Sequence, residues 1–188
     1  MKLFYIPDGH RRYADRVGCS LVAAYQLGYT VLVNELIDPL LAVSEIEGLD
    51  IFLLSNLNLR RRDDRDLEIL RQKGEPLLWD LIEHCRALAS VRTVGSYLGR
   101  NVALAGESSK LVTLVLGCTT GDDVGCGEVD LFLRSGGELR LSGAPRTIIG
   151  DYTQLYAIEA LHPDLRFEDV QKILDRYRHR YMREVGVP

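Results

Sequence analysis

Three short segments of this 188-residue chain combine residue types that can hold anions. The first is Pro7-Asp8-Gly9-His10-Arg11-Arg12, where Asp8 follows an apolar stretch and the next residues read as a helix start. Backbone N–H groups at a helix start favour an anion, and a glycine lets one come close. Arg11 and Arg12 are placed to close around it. A carboxylate beside a phosphate repels it unless a divalent cation joins the two, so Asp8 points to Mg²⁺. The same residues also suit an Asp-Gly turn with two solvated arginines. The second segment is Ser55-Asn56-Leu57-Asn58-Leu59-Arg60-Arg61-Arg62. Asn58 is suited to orient a polar group and Arg61 to reach a phosphate. A solvated basic helix start is the alternative, although three arginines there oppose the helix dipole. The third is Arg134-Ser135-Gly136-Gly137-Glu138-Leu139-Arg140-Leu141-Ser142. Its Gly-Gly turn can bring Arg134, Arg140 and the Ser142 hydroxyl onto one anion, each charge-assisted hydrogen bond being worth about 1.5–3 kcal/mol. Together the segments describe two neighbouring anion sites with one carboxylate between them, which suits a protein holding two phosphorylated substrates.

Secondary structure must hold these segments side by side. Residues 2–6 read as a short buried strand ending at Pro-Asp-Gly. Residues 11–16 read as a brief helix closed by Gly18. Ser20 is the N-cap of a longer helix carrying Leu21, Ala24, Tyr25, Leu27, Leu32, Leu36 and Ile37. Pro39 is expected to kink or break that helix. Further strands are read over 49–55, 91–94, 111–116 and 129–133, the last after a glycine-rich loop. A helix from about 66 to 88 is interrupted by Gly74 and Pro76. Residues 167–184 are helical, with Val170, Ile173, Leu174, Tyr177 and Tyr181 at helical spacing. Short apolar strands separated by helices predict an α/β fold. We expect one domain over 1–188, with a central, mainly parallel sheet flanked by helices on both faces. In such sheets ligands sit beyond the carboxyl ends of the strands, where all three segments fall.

Composition narrows the classes. Hydrophobic residues at 46% and charged residues at 27% exclude wholesale disorder and collagen-like repeats. A chain of this size hides about 70% of its unfolded surface, enough for a real core. A net charge of −4 argues against nonspecific nucleic-acid binding, so no nucleic-acid partner is expected. Yet 19 of the 23 basic residues are arginine. That bias reflects either genome composition or phosphate recognition, and position must decide. No window approaches the ~20 apolar residues of a membrane span, and the opening apolar stretch is too short for a signal peptide. A cytoplasmic location follows as an expectation. The four cysteines lack C-x-x-C spacing and the four histidines lack H-x-x-x-H spacing, which argues against a disulfide framework or structural zinc.

Residues 5–14 resemble the MDGNGRWA signature of the cis-prenyltransferases, the undecaprenyl diphosphate synthase family. Residues 129–142 are similar to that family's VDLxIRTGGExRxS signature, Tyr152-Thr153-Gln154-Leu155-Tyr156 stands where it has YAELYF, and His162-Pro163-Asp164-Leu165 with the arginine-rich final helix matches its C-terminal end. The resemblance implies a homodimeric enzyme that joins isoprenyl diphosphates with Mg²⁺. By position, Asp8 would be the catalytic and magnesium-holding carboxylate, with Asn58 a second catalytic residue. Gly9, His10, Arg11 and Arg12 would hold the allylic diphosphate, supported by Arg61, while Tyr25 and Ser55 occupy substrate-contacting positions. Arg134, Arg140 and Ser142 would hold the second diphosphate.

Departures accompany the match. The family's arginine and histidine after the first helix appear as Leu21 and Tyr25, and its second magnesium-linked glutamate aligns with Gln154, with Asp151 close enough in sequence to substitute. The segment between about 62 and 128, which builds much of the elongation tunnel, is shorter than in chain-elongating members. The first motif followed by Gly18-Cys19-Ser20-Leu21 is similar to the cyclolavandulyl diphosphate synthase-like branch. The expected product is therefore a short-chain prenyl diphosphate, regular, branched or cyclised. The alternatives are a noncatalytic accessory subunit, and a prenyl diphosphate cyclase or hydrolase on the same fold.

Overall fold

The chain's structure, a computed structural model, describes residues 1–60, 62–95, 108–122 and 125–184, without the side chains of 57, 58 and 181–184. Six strands are present: β1 (Lys2–Ile6), β2 (Gly48–Ser55), β3 (Ser90–Gly95), β4 (Leu111–Cys118), β5 (Leu131–Ser135) and β6 (Gln154–Ile158). They form one sheet in the order β3-β4-β2-β1-β5-β6, with every neighbouring pair parallel. Five match the sequence reading to within about two residues. β6 was not anticipated, because it pairs on one side only and alternates weakly between half-buried and exposed positions.

Helix signals in the sequence act where expected. α1 (His10–Val17) closes on Gly18, at φ 70°, whose N–H returns to the Ala14 carbonyl. α2 (Leu21–Leu32) is capped by the Ser20 hydroxyl, which accepts from the Ala23 N–H at 3.1 Å. Both prolines follow an interruption of ordinary α geometry, which takes the form of a wider turn and not a full break. Pro39 does not break the helix. A wider π turn, Val33–Ile37, precedes it and α3 (Asp38–Ala42) carries straight on. Between α5 (Asp64–Ile69) and α6 (Glu75–Arg86), a second π turn, Leu70–Gly74, does the same for Pro76. In α geometry each proline ring would strike the carbonyl four residues back. The i→i+5 bonds, Asp38 N–H to Val33 and Glu75 N–H to Leu70, widen the coil just there.

The two sheet faces are covered unequally. Leu3, Tyr5, Ile51 and Leu133 point into the main core beneath α2, α6 and α7 (Phe167–Glu184), meeting Val31, Leu81 and Leu174. On the other face Phe4, Phe52 and Phe132 pack together, with Phe4 and Phe132 stacked at 5.8 Å. That face is closed by Cys126, Val129, Ala144 and Ile148, from loops and one 3₁₀ turn. Among the described residues the helices expected on both faces therefore gather on one, and bulky aromatic rings fill the thinner layer opposite. No single helix among the described residues is long and apolar enough to cross a membrane.

Candidate functional site

β1 and β5 are neighbours, but the chain leaves β1 toward β2 on one side and β5 toward β6 on the other. Such a switch opens a crevice beyond the carboxyl ends. Asp8 stands there, its N–H donating to Ser135 Oγ at 2.8 Å. Gly9 adopts φ 111°, and an added Cβ would lie 2.8 Å from Leu161 Cδ2, so the turn demands glycine. The Gly9 N–H donates to Asp8 Oδ1 at 2.7 Å. Asp8 Oδ2 accepts from Arg134 Nη2 at 2.6 Å and from Arg12 Nη2 at 3.2 Å.

The Gly-Gly turn after β5 completes the cluster. Gly136 has φ 92°, and a Cβ there would lie 2.4 Å from Arg12 Nη2; its carbonyl accepts from Arg12 Nη1 at 2.8 Å. Arg134 is almost wholly buried, donating from Nη1 to Ser142 Oγ at 2.5 Å and to the Arg140 carbonyl at 2.8 Å. Its Nε has no partner. Ser142 and the Arg140 backbone thus aim Arg134 at Asp8, while the Arg140 side chain pairs with Glu138 at 2.9 Å on the rim.

A cleft of about 570 Å³ runs from this cluster into the main core. Its polar end is lined by Asp8, Gly9, His10, Arg11, Arg12, Arg62 and Arg140, and its far end by leucines including Leu32, Leu54, Leu70, Leu78 and Leu116. His10 lies over Gly28, 5.0 Å from the Tyr25 ring and 5.1 Å from His162. Loss of water, with the Arg62 guanidinium nearby, lowers its pKa to about 4. His162 lies deeper, bonded to Tyr5 Oη at 2.8 Å and the Gly28 carbonyl at 2.9 Å. Burial lowers its pKa to about 3, so both rings are neutral at pH 7.

Of the residues singled out from sequence, Asp8, Gly9, His10, Arg11, Arg12, Tyr25 and Arg140 line one cleft, with Arg134 and Ser142 joined to Asp8 just behind. Ser55 is fully buried at the end of β2 and is not part of the lining. Asn58 lies on α4 (Asn56–Arg60) with its side chain outside the described residues, as is Arg61 altogether. Gln154 pairs with Leu131, three register positions below the Arg134–Ala157 pair. At a strand rise of about 3.3 Å that is about 10 Å toward the opposite end of the sheet, so neither Gln154 nor its neighbour Asp151 joins Asp8 within one chain. Sequence reasoning missed Arg62, which faces the cleft, and His162. The spacing of Arg62, four residues before Asp66, hints at an ion pair but carries no sign of a place in the cleft.

Among the described residues no three His, Cys, Asp or Glu side chains converge on a point. The carboxylates lining the cleft are Asp8, a third exposed at its mouth, and Glu138, which pairs with Arg140 on the rim. Mg²⁺ suits such a place, since it takes one or two carboxylates together with phosphate oxygens and water.

No protein-family model matches the sequence. Over 223 aligned positions the chain is 26% identical to a tritrans,polycis-undecaprenyl-diphosphate synthase (geranylgeranyl-diphosphate specific) of Pyrobaculum aerophilum, covering 95% of this chain and 92% of the relative. The corresponding protein of Aeropyrum pernix is 27% identical over 205 positions, covering 93% of each. Both alignments are longer than this chain, so the relatives carry residues that it lacks. The fold matches a crystal structure of lavandulyl diphosphate synthase from Lavandula x intermedia in complex with dimethylallyl diphosphate, with TM-score 0.79, 18% identity and 94% of each chain covered.

Proposed function

We propose that this chain, homologous to cis-prenyl diphosphate synthases along nearly its whole length and built on the cis-prenyltransferase fold, condenses small isoprenyl diphosphates into a short prenyl diphosphate. The observation that carries the reading is one continuous cleft with Asp8, Arg12 and Arg140 at one end and leucines at the other. It suits a molecule with an anionic head and a hydrocarbon tail. Dimethylallyl, geranyl and isopentenyl diphosphates are the substrates proposed, and a lavandulyl-type branched or cyclised product is included. The homodimer implied by the resemblance and the cytoplasmic location expected from the absence of a span or signal peptide belong to the same reading.

In this mechanism the start of α1 and the side chains of Arg11 and Arg12 bind the allylic diphosphate. Arg140 and the Arg134 region hold the second. Asp8 would hold Mg²⁺, which when bound neutralises charge on the departing diphosphate. Arg12 and Arg134 hold the Asp8 carboxylate in one orientation, so the charge-stabilising groups are in place before the bond breaks. The leucines align the two hydrocarbon chains and exclude water from a reactive carbocation. Each buried methylene contributes about 0.8 kcal/mol, so repeated elongation needs a long apolar sleeve. The shortening proposed between 62 and 128 removes part of that wall and limits the product to few isoprene units.

The test is incubation with Mg²⁺ and the three diphosphates, alone and in pairs, with products identified by mass spectrometry. A short prenyl diphosphate from a pair supports the reading. Self-coupling of dimethylallyl diphosphate, the route to a lavandulyl skeleton, supports it equally. A product with the carbon count of a single substrate would indicate a cyclase or hydrolase, and no product from any combination an accessory subunit.

A further inference from the structure

One cation of the cleft wall, Arg62, is unused by the mechanism above. Arg62, just beyond α4, has its side chain nine-tenths buried and lines the cleft. Its Nη1 donates to Tyr25 Oη at 2.8 Å, its guanidinium sits 5.8 Å from the Tyr25 ring centre, and its buried Nε has no hydrogen-bond partner among the described residues. Among the described residues the carboxylate near it is Asp66 at 3.8 Å, beyond hydrogen-bond length. The same oxygen, Asp66 Oδ2, accepts from Arg11 Nη2 at 3.0 Å. One carboxylate oxygen therefore lies between two guanidinium groups on the cleft wall, bonding one and falling short of the other. A buried guanidinium needs close, charged hydrogen-bond acceptors. A diphosphate offers more oxygens and more charge than a single carboxylate, enough for both arginines.

The backbone leaves Asp66 free to give way. The first turn of α5 is capped by Asp63, whose Oδ1 accepts the Asp66 N–H at 2.8 Å. The helix end is satisfied without the Asp66 side chain, which can swing out without unwinding it.

We propose that Arg11 and Arg62 form a diphosphate-binding pair, that Asp66 occupies the slot between them as an internal stand-in for the substrate's phosphate, and that substrate binding displaces it. Tyr25 is then a positioning residue that holds Arg62 in place. The proposal rests on the prenyl diphosphate reading of the cleft and makes Asp66 a competitor of substrate.

Calorimetric titration of the full chain with inorganic diphosphate tests it. Asp66→Asn is expected to bind diphosphate about three- to fivefold tighter, the scale of a lost exposed ion pair. Asp66→Ala should behave alike, and urea unfolding of each variant checks that the fold is kept. Arg62→Gln should weaken binding about tenfold, Arg62→Lys should recover part of it, and Tyr25→Phe should weaken it a few-fold. Unchanged or weaker binding in both Asp66 variants, or unchanged binding in Arg62→Gln, overturns the proposal. If diphosphate binds and is lost in Arg134→Gln while the Asp66 variants gain nothing, the proposal fails and the reading of the cleft stands. If the unaltered chain binds no diphosphate, or Arg134→Gln leaves binding unchanged, that reading fails and takes the proposal with it.

Discussion

Asp8 and Asp50 belong to neighbouring parts of one sheet, and each has two cations close by, yet their surroundings differ in kind. Asp8 sits beyond the carboxyl end of β1, a third exposed, with both oxygens hydrogen-bonded. Asp50 lies inside β2 on the aromatic face, wholly buried, and neither of its oxygens accepts a hydrogen bond. Lys2 Nζ stops 3.6 Å away, and Arg92 donates instead to Thr113 Oγ1 and the Gly125 carbonyl. Loss of water pushes the Asp50 pKa up, while Thr113, Lys2 and Arg92 pull it back only in part. A carboxylate at the water's edge can trade partners when a ligand arrives. One sealed between strands can only hold the structure together.

That contrast breaks if the two aspartates prove interchangeable. Asp8→Ala is expected to lower turnover by at least about 10²–10³-fold, the scale of losing preorganised charge stabilisation, and to lower the thermal midpoint as well, because the buried Arg134 loses its carboxylate. Asp8→Asn, which keeps an acceptor oxygen, should spare more of the midpoint than of the turnover. Unchanged turnover would remove its catalytic role. Asp50→Ala should leave kcat and KM intact and act on urea unfolding alone, since its side chain lines no part of the cleft. A comparable loss of turnover in both variants would erase the distinction.

Acid titration sharpens the comparison. His162 and His10 have folded pKa values of about 3 and 4 against an ordinary 6.5, so the unfolded chain binds more protons below pH 6.5. The stability they contribute is complete above that pH and is lost as pH falls toward 3, at up to about 1.4 kcal/mol per pH unit for each group. Asp50 works with the opposite sign, since its raised pKa makes the folded state lose stability as pH rises above 3.8. The urea midpoint should therefore fall between pH 6.5 and 4, less steeply in His162→Gln and more steeply in Asp50→Asn. The smallest effect belongs to Arg140→Ala. Its side chain is largely exposed on the rim, so we expect a several-fold rise in KM for the non-allylic substrate and less for the allylic one. Equal rises would contradict two separate anion sites.

Much of this was legible in the sequence because local rules govern it. Gly18, Ser20 and the apolar runs of β1, β2 and β4 announce their structure within a few residues. The cluster of Asp8 with Arg12 and Arg134 was legible through its motifs, since glycines at Gly9 and Gly136 mark where backbone and guanidinium approach too closely for a side chain. What the sequence hid depends on partners distant along the chain. The sequence marked Arg134 as an anion ligand but could not show that Ser142 and the Arg140 carbonyl hold it or that it pairs with Asp8. Arg62 became visible only when α2 brought Tyr25 to it, 37 residues away in sequence. The uneven faces of the sheet escaped notice because alternation within a strand reports burial, not what does the burying.

The paired π turns have a consequence for how such a cleft can be retuned. Each is one residue longer per turn than ordinary helix, so each stores a removable residue in the middle of a wall. Leu70 and Gly74, at the two ends of the second turn, and Leu77, Leu78 and Leu81 beyond it all face the hydrocarbon end. A single-codon deletion within 70–74 would turn the wide coil into ordinary helix with that row still facing the cleft, whereas the same deletion inside α6 would swing the residues beyond it by about 100° around the helix axis, the diphosphate cradle on β1 and β5 staying where it is in both. Substrate length and substrate capture are thus mounted on separate parts of the chain, and the first can drift without endangering the second.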